Sequence, residues 1–148
     1  MNKLIILLVA IFLYLPLSAG LLPEKKSLVV PQAELNCLTK NIYREASGEP
    51  FTGKLAVGVV TINRLLSGKY GNTICKVVYY PGQFSWTRES DTKISKDKWQ
   101  ESLLAASMVL EDRGILGNFN ATHFHNKTVK PNWGLKRVAV IGNHTFYF

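Results

Sequence analysis

"NIYREASGEP", residues 41–50, carries the acid Glu45 where a helical pattern stops, and follows it with Ser47, Gly48, a second acid Glu49, and Pro50. Upstream, Leu35, Leu38, Ile42 and Ala46 recur at spacings of three or four. That periodicity gives one apolar face and predicts a helix from about Gln32 to Ala46. Gly48 is expected to cap it, and Pro50 keeps Glu49 out of helical geometry. A second helix follows from about Thr52 to Leu66, with Leu55, Val59, Ile62 and Leu66 as its stripe, Ala56 and Val60 widening it, and Ser67-Gly68 stopping it. A third, Asp97 to Arg113, has Asp97 and Gln100 in capping-box spacing, a stripe of Trp99, Leu103, Ala106 and Leu110, and Gly114 as its cap.

Between these helices "VVYYPGQFSWT" mixes β-formers with a Pro-Gly turn, so Phe84 and Trp86 are expected two apart on a strand. "THFH" places His123 and His125 on one strand face, with Thr122 and Phe124 on the other. "KRVAVIGNHTFYF" reads as two strands around a Gly142-Asn143 turn. The expected fold is α+β, mainly helical with a small antiparallel β-region.

Residues 1–20 differ from the rest: Lys3, the apolar run Leu4 to Leu15, then Pro16 and the small-residue exit Ser18-Ala19-Gly20. This is the pattern of a secretory signal peptide, with an uncleaved N-terminal anchor as the alternative; Pro16 interrupts the run short of the roughly 20 residues a span needs. Residues 21–33 read as a tether and 34–148 as one domain. The formal charge is +8, or +7 without Lys3, and Lys and Arg are scattered rather than gathered. A basic exported chain suits an acidic partner such as a wall polymer or anionic lipid; nucleic acid does not fit export. The expected location is the periplasm, cell wall or extracellular space. The two cysteines, Cys37 and Cys75, lie outside any CxxC arrangement; outside the cytoplasm a disulfide is expected, two buried thiols being the alternative.

Glu45 falls in the last helical turn, where backbone carbonyls concentrate negative charge, beside apolar Ile42 and Ala46. Both influences raise a carboxyl pKa and keep a proton available near neutrality, which suits protonation of a leaving sugar oxygen. An ordinary surface glutamate near a helix end remains the competing reading at this point.

Four stretches in order, "CLTKNIYREASGEPFTGKLAVGVVTINRL", "ICKVVYYPGQFSW", "ATHFHNKTVKPNWG" and "IGNHTFYF", resemble the SleB/CwlJ-type cell wall hydrolases across nearly all of residues 36–148. The resemblance implies a lysozyme-like or lytic transglycosylase-like fold and cleavage of the glycan strand of peptidoglycan between N-acetylmuramic acid and N-acetylglucosamine. Glu45 is then the catalytic acid, and the related superfamily implies a one-acid mechanism without a cofactor. Ser47 departs from the pattern, which usually has arginine there. The remaining expected substrate contacts are Tyr43, Gln83, Ser85, Trp86, His123, His125 and Trp133, each with a structural alternative. His123 and His125, with His144 and a glutamate, leave a zinc amidase or peptidase as the rival enzyme, although no HExxH is present. A non-catalytic wall-binding module is the rival class. No metal is expected at the site, and the protein is expected to act on peptidoglycan as a monomer, touching a membrane only through an uncleaved N-terminus.

Overall fold

The computed structural model describes residues 30–90 and 93–148. The expected signal or anchor, most of the tether and residues 91–92 lie outside the described residues. No described helix is long and apolar enough to cross a membrane.

Helix α1, Gln32–Ala46, buries Leu38, Ile42 and Ala46, as the periodicity requires. It does not end on a glycine cap. Ser47 continues in right-handed geometry and donates to the Tyr43 carbonyl at 3.1 Å, and the Glu49 N–H returns to Ala46 at 3.0 Å. These turn bonds leave Gly48 with no left-handed role; its φ is not positive.

Helix α2, Phe51–Ser67, starts at Pro50 and stops at Gly68, which holds the left-handed φ of 67° that favours glycine. It is buried almost all round from Gly53 to Ile62, so it is the central helix rather than an amphipathic surface one. Leu66 is the exception to the expected stripe and is exposed. At Gly58 the three long helices converge: an added Cβ would stand 3.1 Å from both Ile42 and Val109.

The segment expected as a strand holds no strand: Val77 and Val78 end helix α3, Ile74–Val78, which is capped by the Thr73 hydroxyl, and the rest is turn followed by a 3-10 helix over Ser85–Arg88. The β-branched residues Ile74, Val77 and Val78 are buried in α3, an instance of packing overriding propensity. Cys37 and Cys75 form a disulfide that ties α1 to α3, with Cα atoms 5.3 Å apart.

Helix α4, Lys96–Glu111, has its N-cap at Ser95, two residues before Asp97 of the expected capping box, and among the described residues no side chain caps it. Its buried face is Ser102, Ala105, Ala106, Val109 and Leu110, which keeps Ala106 and Leu110 of the expected stripe but not the larger Trp99 and Leu103. Small residues there let α4 approach α1 and α2 closely. The helix ends at Asp112, so Gly114 is not its cap.

Strands β1 (His123–Asn126), β2 (Arg137–Ile141) and β3 (His144–Tyr147) form an antiparallel sheet in the order β1-β3-β2. Gly142, with φ 59°, takes the first central position of the two-residue hairpin turn, where glycine is favoured. Phe146 is fully buried and brings the sheet onto the helical core. The fold is α+β, helical with one small sheet.

Candidate active site

Glu45 is half-buried at the carboxyl end of α1. Burial pushes its carboxyl up to about 7; Arg64 opposes the rise and the Glu89 charge adds to it. Among the described residues no hydrogen bond reaches this carboxyl. A carboxyl desolvated, unpaired and poised near neutrality can both give and take a proton.

Glu49, four residues on, has the opposite surroundings. Its Oε2 accepts from the Asn143 backbone N–H at 2.7 Å and its Oε1 from the Asn143 amide at 3.0 Å. Its residual burial acts upward, yet the two Asn143 bonds together with His144 and Lys54 hold it below the ordinary carboxylate range. Lys54 also donates to the Glu49 carbonyl at 2.6 Å and pairs with Glu101 of α4 at 3.2 Å. Glu49 therefore clamps the β2–β3 turn to the elbow between α1 and α2.

The end of α2 fixes the approach to β1. Asn63 donates to the carbonyls of Phe119 and Ala121 at 3.1 and 2.9 Å, rather than toward α1. Arg64, buried, donates from Nε to Thr122 at 2.7 Å, and its guanidinium lies over the rings of Phe84 and Tyr70 at 5.0 and 5.8 Å. His123, next to Thr122, is held below its usual pKa by burial, with Arg64 and Lys69 adding to the effect.

Beyond this lies the outer face of the sheet. His123 and His125 both pack their rings 5.7 Å from Trp133, whose own ring meets Tyr147 at the same distance. His125 stacks on Tyr147 at 5.4 Å. Its Nδ1 donates to the Asn126 carbonyl, which leaves Nε2 to accept from the Tyr147 hydroxyl at 3.0 Å. Trp133 is 44% exposed, so this cluster is open to a ligand. His144 sits on the other face, buried against Phe124 and Phe146. The histidines therefore do not converge, and among the described residues no group of three His, Cys, Asp or Glu side chains could hold a metal.

The other expected contacts are placed differently from one another. Trp86 is buried: Nε1 donates to Asn41 at 3.1 Å, Tyr79 packs edge-on, and the Arg44 and Lys40 cations lie over the ring. Asn41 in turn donates to the Thr61 hydroxyl at 3.0 Å, so Trp86 belongs to a buried polar chain one helical turn before Glu45 and cannot offer its ring to a sugar. Tyr43 points to α4, where its hydroxyl accepts the Ser95 N–H and its ring meets Trp99. Ser85 is exposed and Gln83 half-buried, both at the surface after the Pro81-Gly82 turn. Sequence reasoning missed Tyr70, Glu89 and Tyr147. Only Tyr147 had a usable signal, since strand alternation puts it on the same face as Thr145.

Residues 48–147 match the family model described as cell wall hydrolase. The matched stretch begins just after Glu45 and contains Glu49, Arg64 and the whole sheet. The spore cortex-lytic enzyme of Bacillus cereus is 26% identical over 132 residues, 84% of this chain and 49% of the relative. Those of Oceanobacillus iheyensis and Bacillus subtilis are each 28% identical, over 78% and 76% of this chain. The chain thus spans about half, or less, of the length of these curated relatives. Two solved structures share the fold. The catalytic domain of the Bacillus cereus SleB protein has a TM-score of 0.65 at 22% identity, covering 87% of this chain and 100% of that one. The catalytic domain of the germination-specific lytic transglycosylase SleB from Bacillus anthracis has a TM-score of 0.61 at 24% identity, covering 80% and 97%.

Proposed function

The chain belongs to the cell wall hydrolase family, and from that membership we propose that it degrades peptidoglycan outside the cytoplasm, cleaving the bond from N-acetylmuramic acid to N-acetylglucosamine as a lytic transglycosylase. The names of the relatives, spore cortex-lytic enzymes and a lytic transglycosylase, support the substrate and the reaction class. The observation that carries the mechanism is the contrast between the two acids at the end of α1: Glu45 has a carboxyl raised to about 7 and no hydrogen-bond partner among the described residues, while Glu49 is committed to Asn143.

In the first step Glu45 gives its proton to the glycosidic oxygen as the bond from C1 of N-acetylmuramic acid breaks. N-acetylglucosamine leaves with a new hydroxyl. The sugar's own 6-hydroxyl then attacks C1, and its proton returns to Glu45. The product is a 1,6-anhydro ring, no water is consumed, and the acid is regenerated. No cofactor enters. Trp133, packed on His123 and His125, offers a ring face to a sugar, and Gln83 and Ser85 offer hydrogen-bonding groups from the loop after the Pro81-Gly82 turn.

The test is clearing of purified peptidoglycan by the wild-type protein and by Glu45→Gln. The reading expects clearing by the first and none by a folded second; lysis by the folded variant overturns it. One observation favours a second reading: the exposed Glu89 carboxylate acts on Glu45. As the base for a water molecule it would make the enzyme a hydrolase. Digestion in 18O water separates the two, because hydrolysis puts the label on the new reducing end and transglycosylation does not.

A further inference from the structure

Arg64 carries a fixed positive charge inside the domain, with 6% of its surface exposed. Its Nε is committed to Thr122, and its plane is covered by Phe84 and Tyr70. Nη1 is shut off from solvent and meets no acceptor among the described residues. An unsatisfied donor on a buried cation is costly and calls for an explanation. Fastening the chain at Thr122 does not supply one: Asn63, one residue earlier, holds Phe119 and Ala121 with a neutral amide.

Because solvent cannot reach Nη1, its partner must come from inside the site. The groups acting on Arg64 are the Tyr70 phenol and the Glu45 carboxyl, and of these the carboxyl is the one that loses its proton in the proposed reaction. Glu45 itself is faced by Arg64 from α2 and by Glu89 beyond the 3-10 turn. His123, from β1, also feels Arg64, together with Lys69. We propose that Arg64 is a positioning residue whose spare Nη1 takes up the Glu45 carboxylate once the proton has gone to the leaving oxygen. The inference rests on the reading of Glu45 as the acid. It resolves a conflict in that reading: a permanent ion pair would ionise the acid before it acts, and no partner at all would strand a carboxylate in a half-buried site during ring closure. An interaction that strengthens only after proton transfer lowers the barrier without stabilising the resting state.

Two measurements test it. In the pH–rate profile, Arg64→Met is expected to move the alkaline limb to higher pH and to lower kcat by about tenfold for each pH unit of lost charge stabilisation. Arg64→Lys, which keeps the charge, is expected to keep the limb near the wild-type position. A purely structural arginine predicts loss of activity in both with the limb unmoved, and that result overturns the inference. Should the variants fail to fold, the wild-type protein still decides. The 15N guanidinium resonances of Arg64 are expected to titrate with a midpoint near the Glu45 value of about 7, and to lose that transition in Glu45→Gln, which retains His123. Guanidinium signals that ignore Glu45 refute the pairing even if Glu45→Gln is inactive, whereas lysis by Glu45→Gln refutes the acid assignment instead.

Discussion

Glu45 and Glu49 stand four residues apart at the same helix end, yet the fold treats them in opposite ways. Glu45 remains on the last turn of α1, desolvated and without a hydrogen bond among the described residues, and its carboxyl rises to about 7. Glu49 lies past the turn, receives both donors of Asn143, and is held low. The difference teaches that one acidic motif can divide its work: the carboxylate that is well satisfied builds the site, and the one left unsatisfied is available for chemistry.

The contrast breaks most sharply under exchange of the two acids for amides. Glu45→Gln is expected to lower the rate of peptidoglycan clearing by on the order of 10²–10⁴-fold, the usual contribution of a positioned acid, while circular dichroism shows a native fold. Glu49→Gln is expected to keep turnover within a few-fold, because its loss falls on the clamp. Removing the charge from its bonds to Asn143 costs on the order of 1–2 kcal/mol of stability, which thermal unfolding reads as a lower Tm.

The pH dependence sharpens the same contrast. Glu45 has a folded pKa above its unfolded value of 4.5, so its contribution to stability is present below pH 4.5 and is lost as pH rises through about 7. Glu49 is shifted the other way: its contribution is present above pH 4.5 and is lost as pH falls. His123 and His144, both depressed below 6.5, also weaken the fold as pH falls below that value. Glu45→Gln is therefore expected to be more stable than wild type at pH 8, by on the order of 1–3 kcal/mol, and nearly equal to it at pH 4. Unfolding in denaturant at the two pH values checks this, and equal stability at pH 8 would count against a desolvated acid.

A smaller effect comes from the far side of the clamp. A Cβ at Gly142 would collide with Glu49 Oε2 and approach Pro50 within 2.8 Å, at a backbone φ of 59°. Gly142→Ala is expected to cost about 1–2 kcal/mol without altering the alkaline limb of activity, which separates the integrity of the clamp from the chemistry of Glu45. The smallest effect is expected at Trp133→Ala: weaker binding of glycan strands, raising KM several-fold with little change in kcat, since its exposed ring is proposed to hold sugar and takes no part in the proton transfer.

Much of this was legible in the sequence because it depends on short-range pattern. The periodicity of Leu35, Leu38, Ile42 and Ala46 gives α1, and with it the position of Glu45. The Gly142-Asn143 dipeptide gives the hairpin, and alternation in "THFH" puts His123 and His125 on one face. What was not legible depends on long-range packing. Trp86 reads as a candidate sugar platform until Asn41, 45 residues away, takes its indole N–H. The strand expected over "VVYYPGQFSWT" does not form because Val77 and Val78 are buried in α3 against α1 and α2, with the Cys37–Cys75 disulfide fastening α3 to α1, and the rest is turn and 3-10 helix. Nothing in the sequence says what Glu49 binds until the sheet delivers Asn143 to it across 94 residues. Arg64 gave the weakest signal, since a lone cation at a helix end looks solvated and only the burial of α2 on every side reveals otherwise.

The most direct test of the central claim is a pH titration of the Glu45 side-chain carboxyl, followed by 13C NMR in the wild-type protein with Glu45→Gln to identify the signal. A midpoint near 7 is the result required of a group that both donates and recovers a proton at neutral pH. A midpoint near the ordinary 4.5 would mean that Glu45 is already ionised when substrate arrives and would contradict its proposed role as the acid.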